Sequence, residues 1–303
     1  MTNRLRIGMI GTDTSHCIHF AKYLNDPEAP HPLEGGRVTI AYPGGSPDFH
    51  LSRSRVDGYA AELRNEYGVS IVGTPEEVAE ACDAILLTSV DGRVHLEQFR
   101  KIARFGKPVF IDKPFAVSSE HARAIADLAE AHHVPLFSAS SIRFMEELQS
   151  ALSAVTDKQS VYGADVFGPM ELEETQPGLF WYGIHSVDML YQILGPGCEK
   201  VQAFTNEEHE FVVGIWKDGR VGTVRGNRKG NHTFGASMHT SGGPVFVPVR
   251  AETSKPAYVM LLERIIELFT TGRPAVELSE TIEAIRFIEA ANESRATGNV
   301  IFL

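Results

Sequence analysis

Cysteine is scarce in this 303-residue chain: Cys17, Cys82 and Cys198 are far apart and form no Cys-x-x-Cys pair. Three scattered thiols exclude a disulfide framework and a cysteine-built metal centre, and read as reduced side chains used as small apolar residues. Long apolar runs are missing as well. No stretch approaches the roughly 20 residues that a membrane-spanning helix needs. The start Met1-Thr2-Asn3-Arg4-Leu5-Arg6 leads into a strand rather than a signal-peptide core, so a cytoplasmic protein without a membrane partner is expected. Positive charge is in deficit, 28 Lys and Arg against 39 Asp and Glu for a net −11. Phosphate neutralisation needs clustered cations, so nucleic acid is not an expected partner and small molecules are. No internal repeat or low-complexity segment is visible.

What is present is ample apolar material, 43% of the chain, over a length that favours two domains. The first half alternates strand and helix patterns. Strands are expected at Leu5 to Ile10, Val38 to Tyr42, Val69 to Val72, Asp83 to Thr88, Val109 to Ile111 and Val134 to Phe137. Between them lie helices at Ser15 to Asn25, Arg53 to Tyr67, after Thr74-Pro75-Glu76-Glu77, at Val94 to Phe105, and from Ser118 or Ser119 to about His132. Only 25–54 looks loop-heavy. Such alternation implies an α/β fold with a doubly wound parallel sheet over residues 1–140.

The pattern then changes. A helix from about Ile142 to Val155 precedes β-rich segments at Gln159 to Val166, Val201 to Thr205, Phe211 to Trp216, Arg220 to Val224 and Val245 to Arg250. These read as an open, mostly antiparallel sheet in an α+β domain of residues 141–303. Asp218-Gly219 marks a hairpin, and two closing helices, Tyr258 to Thr271 and Ser279 to Arg295, either cover that sheet or return to the first domain.

Two constellations carry chemistry. Asp112-Lys113-Pro114 follows the fifth strand, and ligands of a parallel sheet collect at the carboxyl ends of its strands. Gly183-Ile184-His185-Ser186-Val187-Asp188 opens a later helix. With the strand-turn-helix start and the ending Thr271-Gly272-Arg273-Pro274 followed by Ser294-Arg295-Ala296-Thr297-Gly298, their order over nearly the whole chain resembles the glucose-fructose oxidoreductase/inositol dehydrogenase (Gfo/Idh/MocA) family. The resemblance implies an N-terminal Rossmann domain holding NAD or NADP and a C-terminal domain that faces a sugar, polyol or related carbohydrate. It also implies hydride transfer at a hydroxyl or carbonyl carbon, and association through the second sheet, as a homodimer or homotetramer.

Oxidising a secondary alcohol needs a base for the hydroxyl proton and a cation to stabilise the developing oxyanion. Lys113 resembles the family's lysine and can polarise the reacting oxygen; His185 resembles its helical histidine and suits proton exchange near neutral pH. Asp188 can orient His185 or cap a neighbouring loop. The resemblance places Gly11, Thr12, Asp13, Thr14, Ser15 and His16 at the dinucleotide turn, with Thr88, Ser89 and His95 after the fourth strand and Asp112 and Pro114 beside Lys113 on the cofactor side.

Three departures stand out. The turn Gly11-Thr12-Asp13-Thr14-Ser15-His16 keeps only the first glycine of Gly-x-Gly-x-x-Gly; Asp13 either brings bulk and charge toward the pyrophosphate or caps the helix. Ile40-Ala41-Tyr42-Pro43-Gly44-Gly45 lacks the ribose-binding acid, while Arg53 and Arg55 can accept a 2′-phosphate. Trp181 stands where many family members carry an Asp, four residues before the histidine. A non-redox binding protein on the same frame is therefore the alternative. A metal-assisted lyase or isomerase through Asp13, His16 and His185 is a minor third reading, although no convergent ligand set is readable and no metal site is expected. His16, His19, His232 and His239 read as solvated or capping, and Arg225, Asn227, Arg228 and Lys229 as a solvated turn after a strand.

Overall fold

The computed structural model describes residues 4–155, 160–248 and 255–303. The chain divides into two compact units: Met1–Ala116 with Glu120–Ala139 and Lys255–Leu278, and Val117–Ser119 with Ser140–Ser254 and Ser279–Leu303. Residues 255–278 thus group with the first unit, the second of the two placements open to that helix.

The first unit is built on six parallel strands, β1 (Leu5–Ile10), β2 (Gly36–Tyr42), β3 (Ser70–Ile71), β4 (Ala84–Leu87), β5 (Val109–Ile111) and β6 (Leu136–Phe137), in the spatial order β3-β2-β1-β4-β5-β6. The order reverses between β1 and β4, the point at which a doubly wound sheet opens its ligand crevice. Strands covered on both faces must be apolar throughout, and all four residues of β4 and all three of β5 are buried. Helices α1 (Ser15–Asn25), α2 (His50–Tyr67), α3 (Pro75–Ala81), α4 (His95–Ile102), α5 (Ser119–Ala131) and α8 (Ala257–Thr271) accompany the sheet. The N-terminus of α3 is a capping box: Thr74 Oγ1 accepts from the Glu77 amide, and Pro75 occupies the first turn. Helix α2 starts at His50, three residues before the expected Arg53, so 25–54 holds more regular structure than its Pro and Gly content suggested.

The second unit carries seven strands in the order β12-β11-β7-β10-β9-β8-β13: β7 (Val161–Pro169), β8 (Cys198–Thr205), β9 (His209–Trp216), β10 (Val221–Asn227), β11 (Gly235–Thr240), β12 (Gly243–Pro248) and β13 (Ile301–Phe302). The expected hairpin is present: β9 and β10 pair antiparallel around Gly219, which adopts φ +90°. Every pair is antiparallel except β7 with β10, which run parallel, so the sheet is mixed. Gln159 and Arg250, expected strand ends, lie outside the described residues.

Helix α6 (Glu146–Ala154) follows a 3-10 turn at Ser141–Phe144. Helix α7 (Gly183–Leu194) packs on β7 and β10, and α9 (Leu278–Thr297) lies with its Phe287 ring 5.9 Å from Tyr191. The close seating of α7 depends on Gly222, where a Cβ would fall 2.8 Å from Leu194 Cδ1. On the opposite sheet face, alternation turns Phe204, Phe211, Val221 and Phe246 outward, and all four are exposed.

Candidate functional site

The β1–α1 turn is set by Gly11, at φ +94°, where a Cβ would stand 2.3 Å from the Ser89 backbone nitrogen. Only glycine fits so close to backbone at that dihedral. The Gly11 and Thr12 amides donate to the Tyr42 and Pro43 carbonyls at 2.9 and 2.8 Å, and Thr12 Oγ1 donates to the Val56 carbonyl.

Asp13 takes neither role expected of it. Thr14, extended at φ −130°, is the N-cap of α1. Asp13 is fully buried and turns inward, accepting from Ser52 Oγ at 2.6 Å and from the Val90 amide at 3.0 Å. Burial raises its carboxyl pKa, against which those two donors work. Its charge is therefore spent on tying the turn to the α2 N-terminus and the β4 edge. The first turn of α1 itself contains no acidic residue. A left-handed Gly11, an inward Asp13 and the Thr14-Ser15 start of α1 fit the phosphates of a dinucleotide.

The first carboxylate after β2, Asp48, is engaged by an arginine. Asp48 receives both Arg93 guanidinium nitrogens at 2.8 and 2.9 Å, and Arg93 also binds the buried Asp91. Arg53 Nη1 donates to the Pro47 carbonyl.

At the carboxyl edge of β5, Asp112 is buried and Lys113 half-buried. Asp112 Oδ1 accepts from the Lys113 amide at 2.8 Å, and Oδ2 is paired with His16 Nδ1. Burial would lift the Asp112 carboxyl, but His16 and Lys113 hold it below the usual carboxylate range. Burial pulls the Lys113 ammonium below the usual lysine value, with Asp112 opposing. His16 is thus neither solvated nor a cap. It stands where the fingerprint's third glycine would be and joins the turn to the strand that carries Lys113. Its ring and that of His19 lie 4.8 Å from the Tyr258 ring of α8, and burial lowers the His19 pKa.

The remaining first-unit candidates support the same edge. Thr88 Oγ1 donates to the Gly11 carbonyl at 2.7 Å and Ser89 Oγ to Gln98 Oε1 at 2.9 Å. His95 is buried, with Nε2 2.8 Å from the Ser89 carbonyl and Nδ1 3.2 Å from that of Phe115, so both ring nitrogens serve the backbone. The Lys113–Pro114 peptide bond is cis.

In the second unit His185 lies in the first turn of α7, its ring 5.7 Å from Tyr182 and 5.6 Å from Phe234. Its Nδ1 is 2.6 Å from Ser140 Oγ. Of the two roles open to Asp188, the structure has the loop contact: Oδ2 accepts from the Ser140 amide at 2.7 Å, and Oδ1 pairs with Arg143 Nη1 at 2.8 Å. Arg143 also pairs with Glu280 through Nη2. Burial raises the Asp188 carboxyl against the pull of Arg143. Ser140 and Arg143 escaped the sequence reading; their one signal was an arginine set in the apolar run Ile142-Arg143-Phe144-Met145. Trp181 and Tyr182 form an edge-on ring pair at 6.2 Å.

Of the basic cluster expected in a solvated turn, Arg225 and Asn227 lie within β10, with Asn227 buried, and Arg228 shares the buried Glu210 with Arg295, each at 2.8 Å. His239 is exposed, as expected, and pairs with Asp165 at 2.7 Å. Among the described residues no group of three or more His, Cys, Asp or Glu is placed to hold a metal ion, and no helix is long and apolar enough to cross a membrane.

A parallel 3-2-1-4-5-6 sheet with a glycine turn at its switch point defines the first unit as a dinucleotide-type Rossmann fold, joined to a second unit with an open mixed sheet. Residues 50–140 match the model of GFO_IDH_MocA, the oxidoreductase family with an NAD-binding Rossmann fold. An inositol 2-dehydrogenase of Cereibacter sphaeroides is 33% identical over 127 residues, a match that covers 42% of this chain and 33% of that protein. In fold, the chain named "probable dehydrogenase" of Thermotoga maritima superposes with a TM-score of 0.80 at 21% identity, covering 98% of this chain and 99% of that one. GenD2 from gentamicin A biosynthesis, solved in complex with NAD, gives 0.78 at 17% identity, covering 100% and 97%. The resemblance to the Gfo/Idh/MocA family read from the sequence is thus supported by the family match over residues 50–140, and the fold of these solved proteins is shared over nearly the whole chain.

Proposed function

We propose that this protein is an NAD(P)-dependent oxidoreductase that moves a hydride between nicotinamide and a hydroxyl or carbonyl carbon of a cyclic polyol or sugar. The reading is carried by one observation: a half-buried lysine of lowered pKa, braced by a buried carboxylate, at the carboxyl edge of β5 in a Rossmann sheet. The family description and the inositol 2-dehydrogenase relative support the reaction class and a carbohydrate-like substrate.

When bound, the nicotinamide supplies the hydride acceptor. Thr14 and Ser15 at the start of α1 would hold the phosphates, with Gly11 leaving room for them. Lys113 donates to the reacting oxygen and stabilises the negative charge that grows on it. His185 takes the hydroxyl proton in oxidation and returns it in reduction. Asp188 acts through Ser140 and Arg143 as a positioning residue.

The alternative, a binding protein without redox chemistry, draws on Trp181 and on the engagement of Asp48 by Arg93. Titration with NADH and NADPH, followed by nicotinamide fluorescence, separates the two. Saturable micromolar binding to either supports the oxidoreductase; binding to neither refutes it. The outward Phe204, Phe211, Val221 and Phe246 support association of two or four copies through the second-unit sheet.

A further inference from the structure

We propose that Ser140 is the positioning residue of His185, holding its Nδ1 through a neutral hydroxyl. The inference rests on the assignment of proton exchange to His185. Ser140 is 1% exposed and fixed from three directions. Its amide donates to Asp188 Oδ2 at 2.7 Å, its Oγ accepts from the Ile142 amide at 3.2 Å, and the same Oγ meets His185 Nδ1 at 2.6 Å. Asp188 is in turn anchored by Arg143, and Arg143 by Glu280. The ring's rotation is set by Ser140, and its tilt by Tyr182 and Phe234 on two sides.

The chemistry of this partner differs from that of an aspartate. A carboxylate only accepts, so it holds hydrogen on Nδ1 and favours the imidazolium. A hydroxyl donates or accepts. One lone pair of Ser140 Oγ is taken by the Ile142 amide, which leaves the hydroxyl proton and the second lone pair to serve Nδ1 in either tautomer. We assign proton exchange with the substrate hydroxyl to Nε2, with Nδ1–H donating to Ser140 Oγ while Nε2 holds the proton; nicotinamide, when bound, would supply the hydride acceptor. No charge is added beside the ring, so His185 keeps a lower proton affinity than a carboxylate partner would give it.

Ser140→Ala spares the backbone bond to Asp188 and removes only the hydroxyl; Ser140→Thr keeps it. The decisive measurement is ring-nitrogen NMR of His185 in the full chain across pH, beside NAD+ reduction with myo-inositol as probe. Ser140→Ala is expected to redistribute the two tautomers and to lower kcat about tenfold or more with little change in KM, and Ser140→Thr to restore both. Ser140→Asp is expected to raise the titration midpoint of His185 by about one unit or more. Unchanged tautomers and midpoint in both Ser140→Ala and Ser140→Asp would overturn the inference. Wild-type turnover in His185→Asn, with the Ser140→Ala spectral change intact, would instead remove the functional assignment of His185 and leave the contact standing.

Discussion

Restoring the fingerprint glycine by Asp13→Gly is expected to weaken this protein rather than improve it. The substitution removes the acceptor of two buried donors, the Val90 amide at 3.0 Å and Ser52 Oγ at 2.6 Å. An amide left buried without a partner costs about 1–3 kcal/mol. The Ser52 hydroxyl, which also accepts from the Ser46 amide at 2.7 Å, loses the carboxylate it donates to, and glycine adds about 0.5–1 kcal/mol of backbone entropy. Relief of the buried carboxylate's desolvation offsets part of this, leaving a net loss of about 2–4 kcal/mol. At about 2–4 °C per kcal/mol, the unfolding temperature should fall by roughly 5–15 °C. Differential scanning calorimetry with and without NADH measures it. Asp13→Asn should lose less, because its carbonyl still accepts from Val90. An unfolding temperature within about 2 °C of wild type, or NADH bound more than about tenfold tighter by Asp13→Gly, would refute the account of Asp13 as an inward tie.

Lys113→Met should reduce turnover by orders of magnitude without lowering stability at neutral pH. Because burial lowers the Lys113 pKa in the folded state, wild-type stability gains a contribution as pH rises from that lowered value toward about 10.4, the unfolded value. Equilibrium unfolding between pH 7 and 10.5 should show that gain in wild type and not in Lys113→Met; parallel profiles would contradict it. Gly11→Ala drives a methyl to 2.3 Å from the Ser89 backbone nitrogen at φ +94°, so loss of more than about 2 kcal/mol and of NADH binding is expected. Wild-type affinity in that variant would show that the turn does not hold the dinucleotide. Light scattering should report a dimer or tetramer that Phe204→Asp with Phe246→Asp converts to monomer; a monomeric wild type contradicts the proposed association.

Much of the Rossmann unit was legible because its strands are buried on both faces and its helices carry local caps; β1, α1 and β5 fall on the expected residues. The second sheet was harder. Strand β11 buries Gly235, Ala236 and Met238 and has little β-branched character, and β13 is two residues long. The parallel pairing of β7 with β10 joins segments more than fifty residues apart, which local patterning does not encode. At the site, motif order led to Lys113 and His185. Adjacent Asp13 and Thr14 are equally good caps in sequence, and only backbone dihedrals separate them. Ser140 stayed hidden because a serine gains its meaning from a histidine 45 positions later.

The return of residues 255–278 to the first unit has a consequence for synthesis. A nascent chain that has left the ribosome as far as residue 140 holds every strand of the Rossmann sheet but not α8, whose Val259, Leu262, Ile265 and Leu268 are buried. The whole second-unit sheet except β13 must emerge before that helix does. Completion of the N-terminal unit is therefore deferred until nine-tenths of the protein has been made. Over that interval, the side of α1 that α8 covers is bare to chaperones.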